Sequence, residues 1–523
     1  MRYPVSNFNR DIFADNSGFR SVHAHTLPGR TRDIHEWMGW TWPRFHNAPL
    51  LESPEHHHPT HYHATRPSIF NQIFEPLEND PAEIIKHSDK WIVKLRSPAF
   101  KNNSGVKVQV RGGKLVVCAQ SSRESPRAFE GNSFEYTTVL PRGFKASKIT
   151  AKHKGDTMEI TTQAAIYTEP GDPQAVVRVV ERNLPDVPGS NQVLVRMLAA
   201  PVNPSDLNQI EGTYPVKGTF DKLTTSTDTI YAAVGGNEGV GEVIGVGDGV
   251  HGLQVGDWVV PQRAGQFGTW CTHTMANASS LSAVPADWRS GLDPLDVACL
   301  KVNPCTAYRL LKDFAALNPG DYVIQNGANS GVGRAVIQLA RYWGIRTVNV
   351  VRERPQLDQL HQELISLGAD IVVSDKQLAT DDVKQQLKSL DAPVRLGFNC
   401  VGGRATLQMT KFISAGGTLV SYGGMSRQPV TMPTSLLLFK DISACGFWMN
   451  RWYNQSFTSS RLEDEKHQMW REILGLIQQK KFVTQPLVTS NWHSLMDIGK
   501  AQEAVSGAVT WGAGSKHAFE FTQ

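Results

Sequence analysis

The sequence predicts a multidomain chain: an all-β sandwich near the front, then a barrel-like β unit, then a doubly wound α/β domain. Three observations lead there. Between Lys90 and Thr161 apolar residues recur with period two and are divided by glycine turns. From about Gln174 glycine-rich β segments follow. From Tyr322 short apolar strands alternate with amphipathic helices. The length of 523 residues allows three or four units at roughly 150 residues each, so a single small module is excluded. Hydrophobic residues at 40% and charged residues at 20% exclude a collagen-like or mostly disordered chain. Mean hydropathy is -0.30, and no uncharged apolar run approaches the roughly 18 residues of a spanning helix.

The net charge of +4 is mildly basic. It suits a polyanionic small molecule better than nucleic acid, because no dense Lys/Arg tract is present. Six cysteines (Cys118, Cys271, Cys299, Cys305, Cys400, Cys445) form no C-x-x-C pair, which points to a reduced compartment without a zinc ribbon. The amino terminus has no apolar h-region. Asp11 and Asp15 interrupt its basic residues, so it makes a poor presequence.

Residues 1–84 read as a mobile arm without helical or strand period. Trp37–Pro43 carries three tryptophans, suited to local packing or to sticky association. The histidines of His56–His63 read as a solvated polar tract or a metal trap, and nothing in a flexible arm fixes ligand geometry. From 85 to 165 we expect the sandwich. Trp91–Leu95, Val106–Val110, Leu115–Cys118, Phe134–Val139 and Thr157–Thr161 are its strands, and Arg111–Lys114 is a hairpin turn.

That run, with Phe100, Leu140-Pro141-Arg142-Gly143, Ile149, Ala151 and Met158-Glu159-Ile160, resembles the α-crystallin domain of small heat-shock proteins over about 80 residues. The resemblance implies self-association and client binding. No Ile-x-Ile/Val tail follows; Tyr167–Pro173 reads instead as a Pro/Gly linker.

In the β unit, Gln192–Met197, Gly241–Gly247 and Val255–Pro261 are strand-like. In the α/β part, Tyr322–Asn326 leads through a Gly327–Gly333 loop into a helix over Arg334–Trp343. Thr347–Val351 is the next strand. Leu357, Leu360, Leu364 and Leu367 mark a second helix capped by Gly368. Ile371–Val373, Leu396–Cys400 and Thr418–Tyr422 continue a parallel sheet.

The loop Ala328-Asn329-Ser330-Gly331-Val332-Gly333 departs from strict G-x-G-x-x-G, yet it stands between a strand and a helix. Backbone N–H groups and the helix dipole there suit a pyrophosphate. The next strand ends in Arg352-Glu353-Arg354. Two guanidinium groups suit the 2′-phosphate of NADPH, while Glu353 alone would suit a ribose hydroxyl. Zinc alcohol dehydrogenases share this layout and use a Gly-His-Glu motif. Here Gly236-Asn237-Glu238 replaces it, so a metal-free site is expected and another group must polarise the substrate. Tyr214 is the obvious phenol; a surface tyrosine in a polar loop is its other reading.

The segment from Gln174 onward resembles mitochondrial trans-2-enoyl-CoA reductases of the medium-chain dehydrogenase/reductase superfamily. The matching runs include Val202–Asp206, Gly235–Gly239, Val302–Arg309, Asn329–Gly333, Asn399–Gly403, Tyr422–Met425 and Gly446–Trp448. The resemblance implies a GroES-like catalytic domain over 166–311, a Rossmann-type domain over 312–460 and a return to the catalytic domain over 461–523. It also implies NADPH-dependent reduction of a 2-enoyl thioester, carried by CoA or a carrier protein, in a mitochondrial homodimer. Tyr214 falls on the proton donor. Asn303, Asn329, Ser330, Gly331, Val332, Arg352, Glu353, Arg354, Tyr422, Gly423, Gly424, Met425, Phe447, Trp448, Met449 and Lys516 fall on cofactor contacts. Trp448 reads as a pocket wall. The competing expectations are a zinc-free quinone or alkenal reductase, a chaperone with an idle reductase half, two genes joined in one sequence, and a cytoplasmic location.

Overall fold

The computed structural model describes residues 160–225, 228–492, 498–509 and 516–521 in full, and before them the backbone of separate strands between 82 and 159. The chain divides into two units, Met1–Asn79 and Asp80–Gln523. The first unit, with its tryptophan and histidine tracts, lies outside the described residues, as do Phe100 and the stretch from Leu140 to Ala151.

In the second unit β1 (Ala82–Lys86) pairs antiparallel with β2 (Trp91–Leu95). A separate antiparallel sheet joins β3 (Val106–Arg111), β4 (Lys114–Gln120) and β5 (Ser133–Val139), with Arg111 opposite Lys114 as a short hairpin requires.

The strand expected to close the sandwich does something else. It is β6 (Glu159–Tyr167), and it pairs with β7 (Arg178–Pro185) over its length. Ala164, Ala165, Ile166 and Tyr167 are buried in the catalytic core, so β6 opens the reductase part. The Pro/Gly stretch after it is a connection within one sheet, not a linker between domains. Asp172 caps a short helix at Pro173–Val176 inside that connection. Proline and glycine mark a turn in either case, and only long-range pairing decides what the turn joins.

Next come β8 (Gln192–Pro201), β9 (Asp221–Thr224), β10 (Thr229–Val234), β11 (Val240–Val246), β12 (Trp258–Pro261), β13 (His273–Asn277) and β14 (Leu281–Val284). Strand order is β7-β6-β10-β9 in one sheet and β14-β12-β11-β8 in the other, with β13 also on β8. Gly241 and Gly239 let β11 lie against β8: a Cβ on Gly241 would stand 2.4 Å from Val195.

The α/β domain holds β15 (Tyr322–Asn326), β16 (Arg346–Val351), β17 (Ile371–Ser374), β18 (Val394–Asn399), β19 (Thr418–Ser421) and β20 (Ser443–Gly446). All are parallel, in the order β17-β16-β15-β18-β19-β20, the doubly wound arrangement. Alternate residues of β15 feed two cores: Val323 packs with Val336, Leu339 and Trp470, while Ile324 packs with Val348 and Met409. Both faces are therefore covered, which explains the unbroken apolar reading of these strands. The first helix begins at Gly331, three residues before its expected start, because the Ser330 hydroxyl caps it by accepting from Gly333 N–H at 3.1 Å. The second spans Leu357–Leu367 and ends on Gly368 at φ 108°, as its leucines and glycine predict. The chain then returns: β21 (Leu487–Asn491) pairs with β22 (Lys516–Glu520), and β22 joins β8.

Candidate active site

The sheet order reverses between β15 and β18, the switch point at which open α/β sheets bind ligands beyond the carboxyl ends of their strands. Two buried asparagines hold it. Asn326 Nδ2 donates to Asn399 Oδ1 at 2.8 Å, and Cys400 N–H donates to Asn326 Oδ1 at 2.8 Å. Asn399 Oδ1 also accepts from Gly402 N–H (3.0 Å) and Thr406 Oγ1 (2.6 Å), while its Nδ2 donates to Ser421 Oγ (3.0 Å). Met425 N–H donates to Cys400 O at 2.9 Å, so the Tyr422–Met425 loop is tied to the same knot.

The glycine loop fits a dinucleotide. A Cβ on Gly333 would stand 2.5 Å from Ala328 O, so the helix packs tightly on its strand. A Cβ on Gly331 would stand 2.4 Å from Asn303 Nδ2 and 2.6 Å from Gln485 Oε1. Only a glycine lets Asn303 and Gln485 come this close to the helix N-terminus, where N–H groups and dipole favour phosphate. Val332 and Met449 are buried core side chains, so any contact of theirs with a cofactor is a backbone contact.

At the end of β16, Arg352 is exposed and Arg354 is half-buried. Glu353 N–H donates to Asp375 Oδ1 at 2.9 Å, and Arg354 Nε donates to Arg352 O at 3.4 Å. Neither arginine has a carboxylate partner among the described residues. Both charges are free to meet a 2′-phosphate.

Tyr214 follows a different element. The helix Pro204–Ile210 starts with a capping box between Asn203 and Asp206. It ends at Gly212 (φ 78°), and Thr213 and Tyr214 N–H both donate to Asn208 O. The phenol is thus fixed to the helix end. Trp448 Nε1 donates to the Tyr214 hydroxyl at 2.8 Å, and Asn450 Nδ2 donates to it at 3.4 Å. The rings of Tyr214 and Trp448 meet edge-on with centroids 6.0 Å apart. Trp448 is therefore more than a wall: it binds the phenol. Burial raises the Tyr214 pKa, the Trp448 and Asn450 donors oppose this, and the Asp206 charge adds to it. The phenol keeps its proton at neutral pH.

Behind Tyr214 lies a buried polar cluster. Asp206 accepts from Asn203 N–H and from Asn237 Nδ2, each at 2.8 Å. Asn237 Oδ1 accepts from Gly265 N–H at 2.8 Å. Glu238 accepts from Val302 N–H (2.7 Å) and from Asn203 Nδ2 (2.8 Å). The amide that replaces the dehydrogenase histidine thus knits the cluster together. Burial pushes the Asp206 carboxyl up to about 6 despite those donors, with Glu238 raising and Lys516 lowering it. Lys516 opens β22 and is 5% exposed, on the same cluster. Among the described residues no group of three or more His, Cys, Asp and Glu is placed to hold a metal ion.

Three contacts escaped the sequence reading: Asn450 on Tyr214, Gln485 over Gly331, and an ion pair of Arg427 with Glu211 at 2.9 Å. That pair ties the Tyr214 helix to the loop after Met425. Asn450 adjoins Phe447–Met449, so an amide one residue further was the one available signal.

Two family descriptions match the chain: "Alcohol dehydrogenase GroES-like domain" over residues 189–291 and "Zinc-binding dehydrogenase" over 331–463. It is 44% identical over 342 residues to "Enoyl-[acyl-carrier-protein] reductase, mitochondrial" of Xenopus tropicalis, covering 65% of this chain and 91% of that one. The Rattus norvegicus protein of the same name is 45% identical over 369 residues, covering 70% and 91%. The chain is similar in structure to an "Etr1p/NADP/crotonyl-CoA complex", with TM-score 0.62, 33% identity, and coverage of 69% of this chain and 100% of that one. The same values hold for a "Mitochondrial 2-enoyl thioester reductase Etr1p/Etr2p heterodimer" from Candida tropicalis. On that identity and coverage, the chain belongs to the enoyl-acyl-carrier-protein reductase family of the medium-chain dehydrogenase/reductase superfamily.

Proposed function

We propose that the chain reduces trans-2-enoyl thioesters with NADPH, and that Tyr214 supplies the proton. The observation that carries this reading is the pair of N–H donors on one phenol oxygen. With Trp448 and Asn450 occupying its acceptor positions, the hydroxyl points its own hydrogen elsewhere. Arg352 and Arg354 hold the 2′-phosphate, and the helix N-terminus at Gly331 holds the pyrophosphate. Asn303, Asn329–Val332, Tyr422–Met425, Phe447–Met449 and Lys516 complete the cofactor site. NADPH, when bound, supplies a hydride to the β-carbon of the thioester. Tyr214 hydrogen-bonds the thioester oxygen as negative charge gathers there, and then gives its proton to the α-carbon, directly or through one ordered water.

NADPH consumption with crotonyl-CoA and with a quinone, side by side, tests the reading. Faster turnover of crotonyl-CoA is expected; faster turnover of the quinone would favour a zinc-free quinone reductase. The relatives are mitochondrial by name, and we assign the chain to that compartment, with CoA or a carrier protein bearing the acyl group.

The reductase part is a homodimer in this reading. Its support is β20, a fully exposed edge strand, beside Leu438 and Phe439 at 69% and 84% exposure. An α-crystallin-like module precedes the enzyme. The antiparallel pairing of β1 with β2 and of β3, β4 and β5 supports it, together with the sequence run from Trp91 to Val139. Light scattering of a heat-aggregating client, with and without the full chain, tests it; undiminished aggregation would count against a chaperone role.

A further inference from the structure

The loop Phe482–Gln485 lies outside every run that marked the cofactor site, yet it is held firmly against it. Gln338, inside the helix that starts at Gly331, accepts from Val483 N–H at 2.7 Å and donates to Val483 O at 3.1 Å. Thr484 donates to Asp296 from the other side. Between these anchors the Gln485 side chain reaches the point above Gly331 that a Cβ would fill, and Asn303 Nδ2 reaches it from another element. Gln485 Oε1 is buried and has no hydrogen-bond partner among the described residues. A buried carbonyl oxygen left unpaired is unfavourable, and a donor from outside the chain would relieve it.

We propose that Gln485 is a cofactor-binding residue, its carbonyl accepting a hydrogen bond from an O–H or N–H group on the nicotinamide half of NADPH. The position decides the half. Gln485 approaches Gly331 beside Asn303, from a segment other than the one that carries the arginines after β16. An acceptor there is repelled by phosphate oxygens but is matched by a ribose hydroxyl or by the carboxamide. The inference rests on the NADPH reading above and adds a contact to it.

Direct titration of the full chain tests this without turnover, following NADPH fluorescence. Gln485→Leu is expected to weaken NADPH about three- to tenfold, the worth of one neutral hydrogen bond, with an unchanged Tm. Binding of 2′,5′-ADP, which lacks the nicotinamide half, should not change. Gln485→Glu should weaken NADPH more, by placing a carboxylate beside the pyrophosphate. The unliganded Tm of that variant should hold, since an anion suits a helix N-terminus. With 2′-phospho-ADP-ribose, a loss in Gln485→Leu assigns the donor to the ribose, and no loss assigns it to the carboxamide. Equal NADPH affinity in wild type and Gln485→Leu overturns the proposal, as does an equal loss for 2′,5′-ADP. A wild-type chain that binds no NADPH removes the functional reading, and this inference with it.

Discussion

At the end of the Pro204–Ile210 helix Tyr214 is half-buried and takes two N–H donors on its oxygen; at the end of β16, Arg352 is exposed and neither it nor Arg354 has a carboxylate partner among the described residues. The difference fits the roles proposed above for the two ends. A proton donor works best when its orientation is fixed before substrate arrives, because no reorganisation is then needed during reaction. A group that recognises a charged ligand works best with its charge unspent, so that binding exchanges water, not a protein partner, for the phosphate. The buried Asp206 cluster belongs to the first kind, and the helix N-terminus at Gly331 to the second.

Four experiments press on this contrast, in order of expected size. Tyr214→Phe should lower turnover of crotonyl-CoA by about 100-fold or more while NADPH affinity changes less than about twofold. A large loss of affinity would mean that the reacting end also carries binding. The double variant Arg352→Ala with Arg354→Ala should weaken NADPH by about 10- to 100-fold and leave NADH nearly unchanged, as two titrations would record. Equal losses for both would assign the arginines to the fold. Trp448→Phe keeps the ring and removes the N–H. It should lower turnover by about tenfold. Since that donor stabilises the phenolate, its loss should also move the alkaline limb of the pH–rate profile upward.

The fourth concerns stability. Burial raises the folded-state pKa of Asp206 from 3.8 to about 6, so its contribution is fully present below 3.8 and is lost as pH rises through 6. Asp206→Asn removes that titration. Urea unfolding of both proteins at pH 4 and pH 7 should show the variant gaining on wild type, by about 1 kcal/mol or more, at the higher pH. A constant difference would mean that the carboxyl titrates alike in the folded and unfolded chain.

How far the sequence speaks depends on whether a feature is local. The β-α alternation, the leucines of Leu357–Leu367 and the arginines at the end of β16 are local patterns, and each stands where the sequence predicts. Tyr214 and the glycine loop were legible because short motifs carried the resemblance. The Trp448 and Asn450 donors lie 234 and 236 residues from the phenol, and Gln485 comes from yet another segment, so no window of sequence joins them. The membership of β6 was misread for the same reason: an alternating strand looks alike in either sheet until its partners are known.

That misread strand also bears on where the chain can be divided. β6 lies in the middle of its sheet, with β7 on one side and β10 on the other. A shortened protein beginning near Gln174 would lack it, leaving both neighbours with open edges and stripping Ala164, Ile166 and Tyr167 from the core. Such a fragment should aggregate, and its inactivity would then say nothing about what the preceding strands contribute. A cut that keeps this sheet whole therefore falls before Glu159, the first residue of β6.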